Sequence, residues 1–466
     1  MRLFLFLSLL FVLYYNASAY NYLVVSPVFG YSHLKFMSKV TDTLANAGHN
    51  VIVDYYNKDA PSHEQSASVF KFFWDSEVVN NPITGAIAPM FILYNEFKPM
   101  CDKVLTDKEL HDWIKSKNFD GFVAEAFDFC SLYLGDHLKM NLMPMFSTIK
   151  NIPGSYAIGE PSALNFAPSL HTNYGPDQTV WDRLQDITSF TSFHYAFSNL
   201  YDRQYRQAYS LLNGEVRTWK DILQTATYFF NNNNPYIGFP IPTLAKTVEI
   251  GGFTIDPPKH EKLEEEFDKI LNLRKSTVLI SFGTVVQSAD MPEAFKLLSF
   301  LADHRLNLFI THGGLGSTLE VAYAGKPSLM IPIFGDQFLN AKMLSRHGGA
   351  ISYDKYKLGD SKKLTETVKE AISNSAYNEK ALLLANILQS QPIQPKNNLL
   401  KHAEFVARFG RVHALEPYNV HYNFIRYYML DAYAILLSIF IVSLYVFHFI
   451  VKFLYRRICR SKPKTE

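Results

Sequence analysis

Short apolar runs alternate with helical spacing at both ends of this chain's central body, and that rhythm sets the architecture. Tyr22-Leu-Val-Val-Ser26 is an uninterrupted apolar run of strand length, helical spacing follows from about Leu34 to Ala47, Gly48 suits the position after a helix end, and Val51-Ile-Val53 is the next strand. Strands buried over their whole length and separated by helices imply a parallel sheet covered on both faces. Phe119-Asp-Gly-Phe-Val-Ala124 reads as a later strand that delivers Glu125, with Asp128 just beyond. From about Met145 to Tyr236 the chain is rich in aromatic and loop residues and shows little periodicity, and Asn231-Asn-Asn-Asn234-Pro235 reads as a polar surface loop. The charged stretch from Pro257 to Asp268 looks like a crossing between domains, with an exposed helix over Leu263 to Leu271. The rhythm then resumes. Ser276 to Phe282 is a strand closing on Gly283-Thr284, a helix is predicted over Met291–Ala302 and a strand over Leu306–Ile310. Ser317 starts a helix that Gly325 ends, and Ser328 to Ile331 is the next strand. No internal repeat is visible. The expectation is an α/β protein with two domains, 20–255 and 256–430, facing each other across a cleft.

The two ends read differently. Arg2 precedes an apolar run from Leu3 to Tyr15, and Ala17-Ser18-Ala19 has the small-x-small form of a signal-peptidase site, so residues 1–19 are expected to be a cleaved signal peptide. Ala432 to Val451 contains no Asp, Glu, Lys or Arg, which is long enough at ~1.5 Å per residue to cross a ~30 Å hydrocarbon core. Residues 452–466 carry Lys452, Arg456, Arg457, Arg460, Lys462 and Lys464 against one acid, and a basic flank of that kind stays cytoplasmic. The expectation is a single-pass type I membrane protein with a lumenal body, and the Lys462-Pro-Lys464 ending looks like an endoplasmic reticulum return signal.

Composition removes several alternatives. A chain of 466 residues with 48% hydrophobic and 19% charged residues is globular rather than disordered. A formal net charge of +2, without a basic face, argues against nucleic acid as a partner. Only Cys101, Cys130 and Cys459 are present, and Cys459 lies beyond the membrane span. At most one disulfide, Cys101–Cys130, can form in an oxidising lumen, and no cysteine metal site is expected.

The chemistry concentrates in Phe309-Ile-Thr-His312-Gly-Gly-Leu-Gly-Ser317-Thr-Leu-Glu320, followed by Pro332 and Asp336-Gln337. A strand, a glycine turn and a helix start place backbone N–H groups and one imidazole around a small anion, and a phosphate is the natural occupant of a helix N-terminus. Ser317-Thr-Leu-Glu320 also fits a capping box, in which Ser317 and Glu320 serve only the helix amides. Gly314-Leu-Gly316-Ser-Thr-Leu319 mimics a dinucleotide fingerprint but lacks its third glycine. His33 falls in the loop after the first strand, at the carboxyl end of the sheet where such folds bind ligands.

Together these residues resemble the UDP-glycosyltransferase family, in its membrane-anchored animal UDP-glucuronosyltransferase branch. The family signature His-Gly-Gly-x-x-[Gly/Ser]-x-x-Glu, then Gly-x-Pro and Asp-Gln-x-x-Asn-Ala, stands here as His312 to Glu320, Gly325-Lys-Pro327 and Asp336 to Ala341. The resemblance implies two Rossmann-like domains of GT-B type, an N-terminal one binding a small lipophilic acceptor and a C-terminal one binding the UDP-sugar as co-substrate, with no further cofactor and no metal. It implies His33, in its Ser-His-Leu-x-x-Met context, as general base on an acceptor hydroxyl, oriented by Glu125 or Asp128. It implies Thr284, His312, Gly313, Gly314 and Ser317 around the diphosphate, Glu320 on the ribose, and Asp336 with Gln337 on the sugar. The implied reaction is inverting transfer of glucuronic acid or glucose at the endoplasmic reticulum membrane, in detoxification, by a chain able to form homo- or hetero-oligomers with family members.

Three departures qualify that picture. The family's orienting Asp is Glu125 here, one methylene longer, and Gly316 stands where many relatives have Asn. Only Val285 to Thr311 separate Thr284 from His312, too short for the family's intervening strand, helix and Trp-x-Pro-Gln motif, and no Trp lies among them. A lost base–aromatic stack is worth ~1–3 kcal/mol, and loss of a βα unit predicts a gap in the sheet. Two readings therefore stand side by side: an active transferase, and a weak or inactive relative that acts by binding membrane partners.

Overall fold

A computed structural model describes residues 19–28, 31–56, 81, 83–149, 152–161, 164, 166–168, 178–255, 265–273, 275–283 and 303–460. Thr284, most of the signal peptide, the helix expected over Met291–Ala302 and the end of the basic tail lie outside the described residues. The chain divides into two compact units, Met1–Glu416 and Pro417–Glu466.

The first unit contains two parallel sheets. β1 (Asn21–Pro27), β2 (Asn50–Tyr56), β3 (Gly121–Glu125), β4 (Leu142–Phe146), β5 (Phe229–Asn231) and β6 (Thr247–Glu249) form a six-stranded sheet in the order β2-β1-β3-β4-β5-β6. Every neighbouring pair in it is parallel. β7 (Thr277–Ser281), β8 (Leu306–Thr311), β9 (Ser328–Met330) and β10 (Ala350–Ser352) form a four-stranded parallel sheet in the order β10-β9-β8-β7. The helices that position the site are α1 (Tyr31–Asn46), α2 (Thr84–Thr106), α3 (Cys130–His137), α4 (Val180–Leu211), α5 (Leu315–Ala324), α6 (Gln337–Ser345) and α7 (Pro395–Phe409).

The apolar runs of β1 and β3 are continuous because both faces of that sheet are covered. Leu23, Val25, Phe122 and Ala124 pack with Phe97, Met100 and Leu132 on one side. Tyr22, Val24 and Val123 pack with Met37, Val40, Leu399 and Val406 on the other. Leu399 and Val406 belong to α7, so the stretch expected to belong wholly to the second domain sends one helix back onto the first sheet. Gly48 does sit at a left-handed φ of 92° after α1, as a helix stop requires.

Three expectations need correction. The region after Met145 is not loop-rich throughout: α4 spans 32 residues, opened by a capping box between Thr179 and Asp182. Asn231 to Asn234 are buried rather than on the surface. Three of them donate inside the fold, Asn231 to Glu249 (2.9 Å), Asn232 to the Ser147 carbonyl (2.6 Å) and Asn234 to the Gly251 carbonyl (2.8 Å), which is what allows these N–H groups inside. No gap opens in the second sheet either, because β7 pairs directly with β8 from Val278↔Leu308 to Ser281↔Thr311, with a register shift at Thr277/Val278.

Cys101 on α2 and Cys130 at the start of α3 form a buried disulfide with their Cα atoms 5.3 Å apart. Closing a loop with a sequence separation of 29 constrains the unfolded chain by about 3–4 kcal/mol. The Cys101→Ala/Cys130→Ala chain is expected to melt at a lower temperature than wild type, and added reductant should lower the wild-type midpoint but not that of the double variant.

In the second unit α8 (Leu430–Arg460) contains a stretch, Leu430–Ile458, of mean hydropathy 2.6 that is long and apolar enough to cross a membrane.

Candidate active site

The carboxyl ends of three adjacent strands assemble the first half of the site. β1 leads into α1, whose first turn carries His33, so the base candidate begins a helix rather than lying in a loop before it. β3 ends on Glu125, and β4 is followed at once by Ser147. The three side chains meet: Ser147 Oγ lies 2.7 Å from His33 Nδ1, and Glu125 Oε2 lies 3.5 Å from the same nitrogen. Glu125 is almost fully buried, and its Oε1 accepts from the amides of Phe127 (3.2 Å) and Ser147 (3.3 Å). The Phe127 ring stands 5.2 Å from the imidazole, centroid to centroid. Asp128 is engaged elsewhere. Its buried carboxylate accepts from Gln204 Nε2 of α4 (2.7 Å) and from the Cys130 amide (3.3 Å). Of the two acids expected beside His33, Glu125 stands 3.5 Å from its Nδ1.

The second half follows β8. Thr311 ends the strand, Gly313 turns the chain at a φ of 82°, and α5 begins at Leu315 with Gly314 as its cap residue. No side chain caps this helix, so the capping box anticipated between Ser317 and Glu320 is not formed, and the helix starts earlier than Ser317. Its first-turn N–H groups have no acceptor within the helix, as at any helix start, and are oriented for an anion. The Gly313 carbonyl is fixed instead by Asn340 Nδ2 (3.0 Å) and Thr318 Oγ1 (3.3 Å).

His312 is wedged between two glycines. A Cβ on Gly283 would stand 2.7 Å from its Cε1, and one on Gly314 would stand 2.7 Å from its Nε2. Burial lowers its pKa to about 4, against a hydrogen bond to the Ser281 backbone that raises it, so the ring is neutral near pH 7. The consequence for stability has a definite sign. The unfolded chain takes up a proton below pH 6.5 that the folded chain refuses, so stability present above that pH is lost as pH falls from 6.5 toward about 4. The loss amounts to about 3 kcal/mol at most. Thermal midpoints recorded from pH 7 down to 4 should fall less steeply in His312→Asn than in wild type.

The two halves touch. Lys35 Nζ of α1 donates to Glu320 Oε1 of α5 at 3.2 Å. Burial pushes the Glu320 carboxyl up, and Lys35 opposes that shift. Burial also pushes the Asp336 carboxyl up, opposed by the hydrogen bond from Asn340 Nδ2 (3.0 Å) and by the charge His33 can carry across the cleft. Gln337 is turned the other way. Its Oε1 accepts from the amides of Ile333 (2.8 Å) and Phe334 (3.1 Å), which ties down the loop after β9. Ser317 is half-buried in the first turn of α5. Ser147 and Lys35 were not among the residues that sequence reasoning selected, and nothing local marks them. Asn340 stood in the Asp336 to Ala341 signature but was given no role of its own.

The chain as a whole is similar to known proteins. The family model described as UDP-glucoronosyl and UDP-glucosyl transferase matches residues 22–304 and 298–465. Human UDP-glucuronosyltransferase 3A2 is 24% identical over 92% of this chain and 92% of its own length. Human 2-hydroxyacylsphingosine 1-beta-galactosyltransferase is 23% identical over 96% of this chain and 92% of its own. Among solved structures, spinosyn forosaminyltransferase superposes with a TM-score of 0.52 at 12% identity, covering 84% of this chain and 100% of that one. With two facing parallel sheets, a histidine and buried carboxylate on one side and an uncapped helix start on the other, the chain belongs to the UDP-glucuronosyl and UDP-glucosyl transferase family and is a GT-B-fold glycosyltransferase of UDP-glucuronosyltransferase type.

Proposed function

We propose that this chain transfers glucuronic acid or glucose from a UDP-sugar to the hydroxyl of small lipophilic acceptors, with inversion at the anomeric carbon. The observation that carries this reading is His33, held on its Nδ1 side by Ser147 and Glu125, facing Asp336 of the domain that bears the phosphate-type helix start. In that reaction His33 Nε2 accepts the acceptor's hydroxyl proton as the oxygen attacks C1 of the sugar. The bond from C1 to the UDP oxygen breaks, and the negative charge leaves with UDP. Glu125 balances the imidazolium, while the first-turn amides of α5, Gly313, Gly314 and neutral His312 meet the diphosphate without a metal. Thr284 completes that cradle in this reading. Glu320 exchanges Lys35 for the ribose hydroxyls, Ser317 adds a hydroxyl to the diphosphate, and Asp336 with the amide of Gln337 addresses the sugar. Aromatic Phe127, packed on His33, suits a lipophilic acceptor.

The apolar helix α8 and the Cys101–Cys130 disulfide support an endoplasmic reticulum membrane enzyme with its body in the oxidising lumen. A signal peptide and a role in detoxification accord with that location. A second reading keeps one specific support. The chain's Trp residues are Trp74, Trp113, Trp181 and Trp219, so none lies after β6 to stack on uracil, and the two family-model segments meet at 298–304, where the shortened stretch lies. That favours a weak donor binder which acts by associating with membrane partners of its own family.

Membranes carrying the full chain, incubated with labelled UDP-glucuronic acid, UDP-glucose and UDP-galactose and a panel of phenols, decide between the two. Label on an acceptor, absent from a His33→Ala control, supports the transferase. No transfer above that control supports the binding-only relative.

A further inference from the structure

We infer that the Ser147 hydroxyl is the immediate hydrogen-bond partner of His33 Nδ1 and holds the ring in the tautomer with Nε2 unprotonated, the one favoured by the Glu125 carboxylate behind it. The inference rests on the reading of His33 as general base, but its geometry stands apart from it. Two oxygens face Nδ1: Ser147 Oγ at 2.7 Å and Glu125 Oε2 at 3.5 Å. The first is a strong hydrogen bond and the second is beyond ordinary hydrogen-bond length.

A serine hydroxyl can donate or accept, so by itself it does not choose a tautomer. The carboxylate behind it makes the choice. Glu125 is acceptor-only when ionised, and its buried Oε2 has no hydrogen-bond partner among the described residues. A bare Nδ1 lone pair facing that oxygen would be repelled, so Nδ1 carries the proton and donates it to Ser147 Oγ. The ring's other nitrogen then keeps the lone pair that a base requires.

The long Glu125 side chain explains why a go-between is needed. Its Oε1 is anchored to the amides of Phe127 and Ser147, which holds the carboxylate back from the imidazole and at the same time fixes the backbone of Ser147. The Ser147 carbonyl is gripped from the other side by Asn232 Nδ2 at 2.6 Å. Amide and carbonyl are thus both tied, and the hydroxyl is presented to His33 at a fixed place. A second-partner hydrogen bond of this kind orients a ring much as the supporting acids of metal-bound histidines do. Ser147 is therefore a positioning residue: it acts through His33 and need touch neither substrate.

The test has two independent readings on the full chain in detergent or nanodiscs. With ring-¹⁵N histidine, the His33 signals, assigned by their loss in His33→Asn, should show protonated Nδ1 and unprotonated Nε2 in wild type near neutral pH. They should show a mixture of tautomers in Ser147→Ala and the wild-type form in Ser147→Thr. In turnover, Ser147→Ala should lower kcat roughly tenfold while the KM for donor and acceptor stays within about twofold, and Ser147→Thr should restore most of the rate. Unchanged ring signals in Ser147→Ala overturn the inference, whatever the rate does. A fall in kcat accompanied by a matching rise in either KM also overturns it, since that would mark a substrate contact. Turnover retained in His33→Ala would instead remove the general-base reading, and the ring signals would still report whether Ser147 sets the tautomer. Where the chain shows no turnover at all, the ring signals decide alone.

Discussion

His33→Ala is expected to lower kcat by roughly 10²–10⁴-fold, the range that a positioned general base contributes, while leaving affinity for UDP unchanged. The split follows from where the side chain sits. His33 belongs to α1, and Ser147, Glu125 and Phe127, which lie against it, come from the first domain, whereas the phosphate-type turn belongs to the second. Removing the imidazole deletes the proton acceptor without disturbing His312, Gly313 or Gly314. It also takes away the imidazole that stands 3.5 Å from buried Glu125, so a modest fall in thermal stability should accompany the lost rate. Rates measured at saturating donor, with UDP affinity determined separately by calorimetry, check both parts. A variant that keeps more than about a tenth of the wild-type kcat would sink the assignment, because a group contributing so little is not the base.

That a histidine in position 33 should matter was legible from its place after β1, yet what holds it was not. Buried parallel strands announce themselves because both faces are covered and polar residues are excluded, which is why β1, β3, β8 and β9 could be read from their apolar runs. Glu125 was legible for the same reason, as the first polar residue at the end of such a run. Ser147 and Lys35 could not be read at all: their partners lie 114 and 285 residues away, and nothing local marks them. Asn231 to Asn234 misled because residue type was taken for exposure, when the side-chain N–H groups of Asn231, Asn232 and Asn234 meet a carboxylate or carbonyl brought close by the fold. α4 was hidden by aromatics distributed around it, although Thr179-x-x-Asp182 carried its start signal. At α5 the opposite error arose. The Ser317–Glu320 spacing fits a capping box, but Glu320 instead reaches Lys35 across the cleft, and the helix begins with a bare glycine. A helix start stripped of caps is a poor choice for stability and a good one for an anion.

The same uncapped turn gives the sharpest test of the donor site. Gly314→Ala is expected to weaken UDP binding by roughly five- to 150-fold, the equivalent of the ~1–3 kcal/mol that overpacking costs. The reason is steric rather than conformational, because Gly314 has a φ of −57°, which any residue adopts. Its new Cβ would meet His312 at 2.7 Å from Nε2 and 3.1 Å from Cε1. Gly283 crowds the same Cε1–Nε2 edge, where a Cβ on it would stand 2.7 Å from Cε1, so the ring has little room to shift. Either the imidazole leaves its wedge or the turn moves off the start of α5, and both disturb the groups proposed to surround the diphosphate. Gly316→Ala supplies the control two residues on. A Cβ there meets nothing within 4 Å, and alanine is favoured over glycine in a helix by roughly 0.5–1 kcal/mol. That variant should bind UDP like wild type and melt slightly higher. Thermal shifts with and without UDP separate the cases: stabilisation by UDP should survive in Gly316→Ala and be largely lost in Gly314→Ala. Equal UDP stabilisation in both would place the diphosphate away from His312 and the α5 start. Because the comparison requires binding and no turnover, it also bears on the donor side directly: a wild-type response to UDP would mean that the phosphate cradle holds the nucleotide even without a Trp after β6.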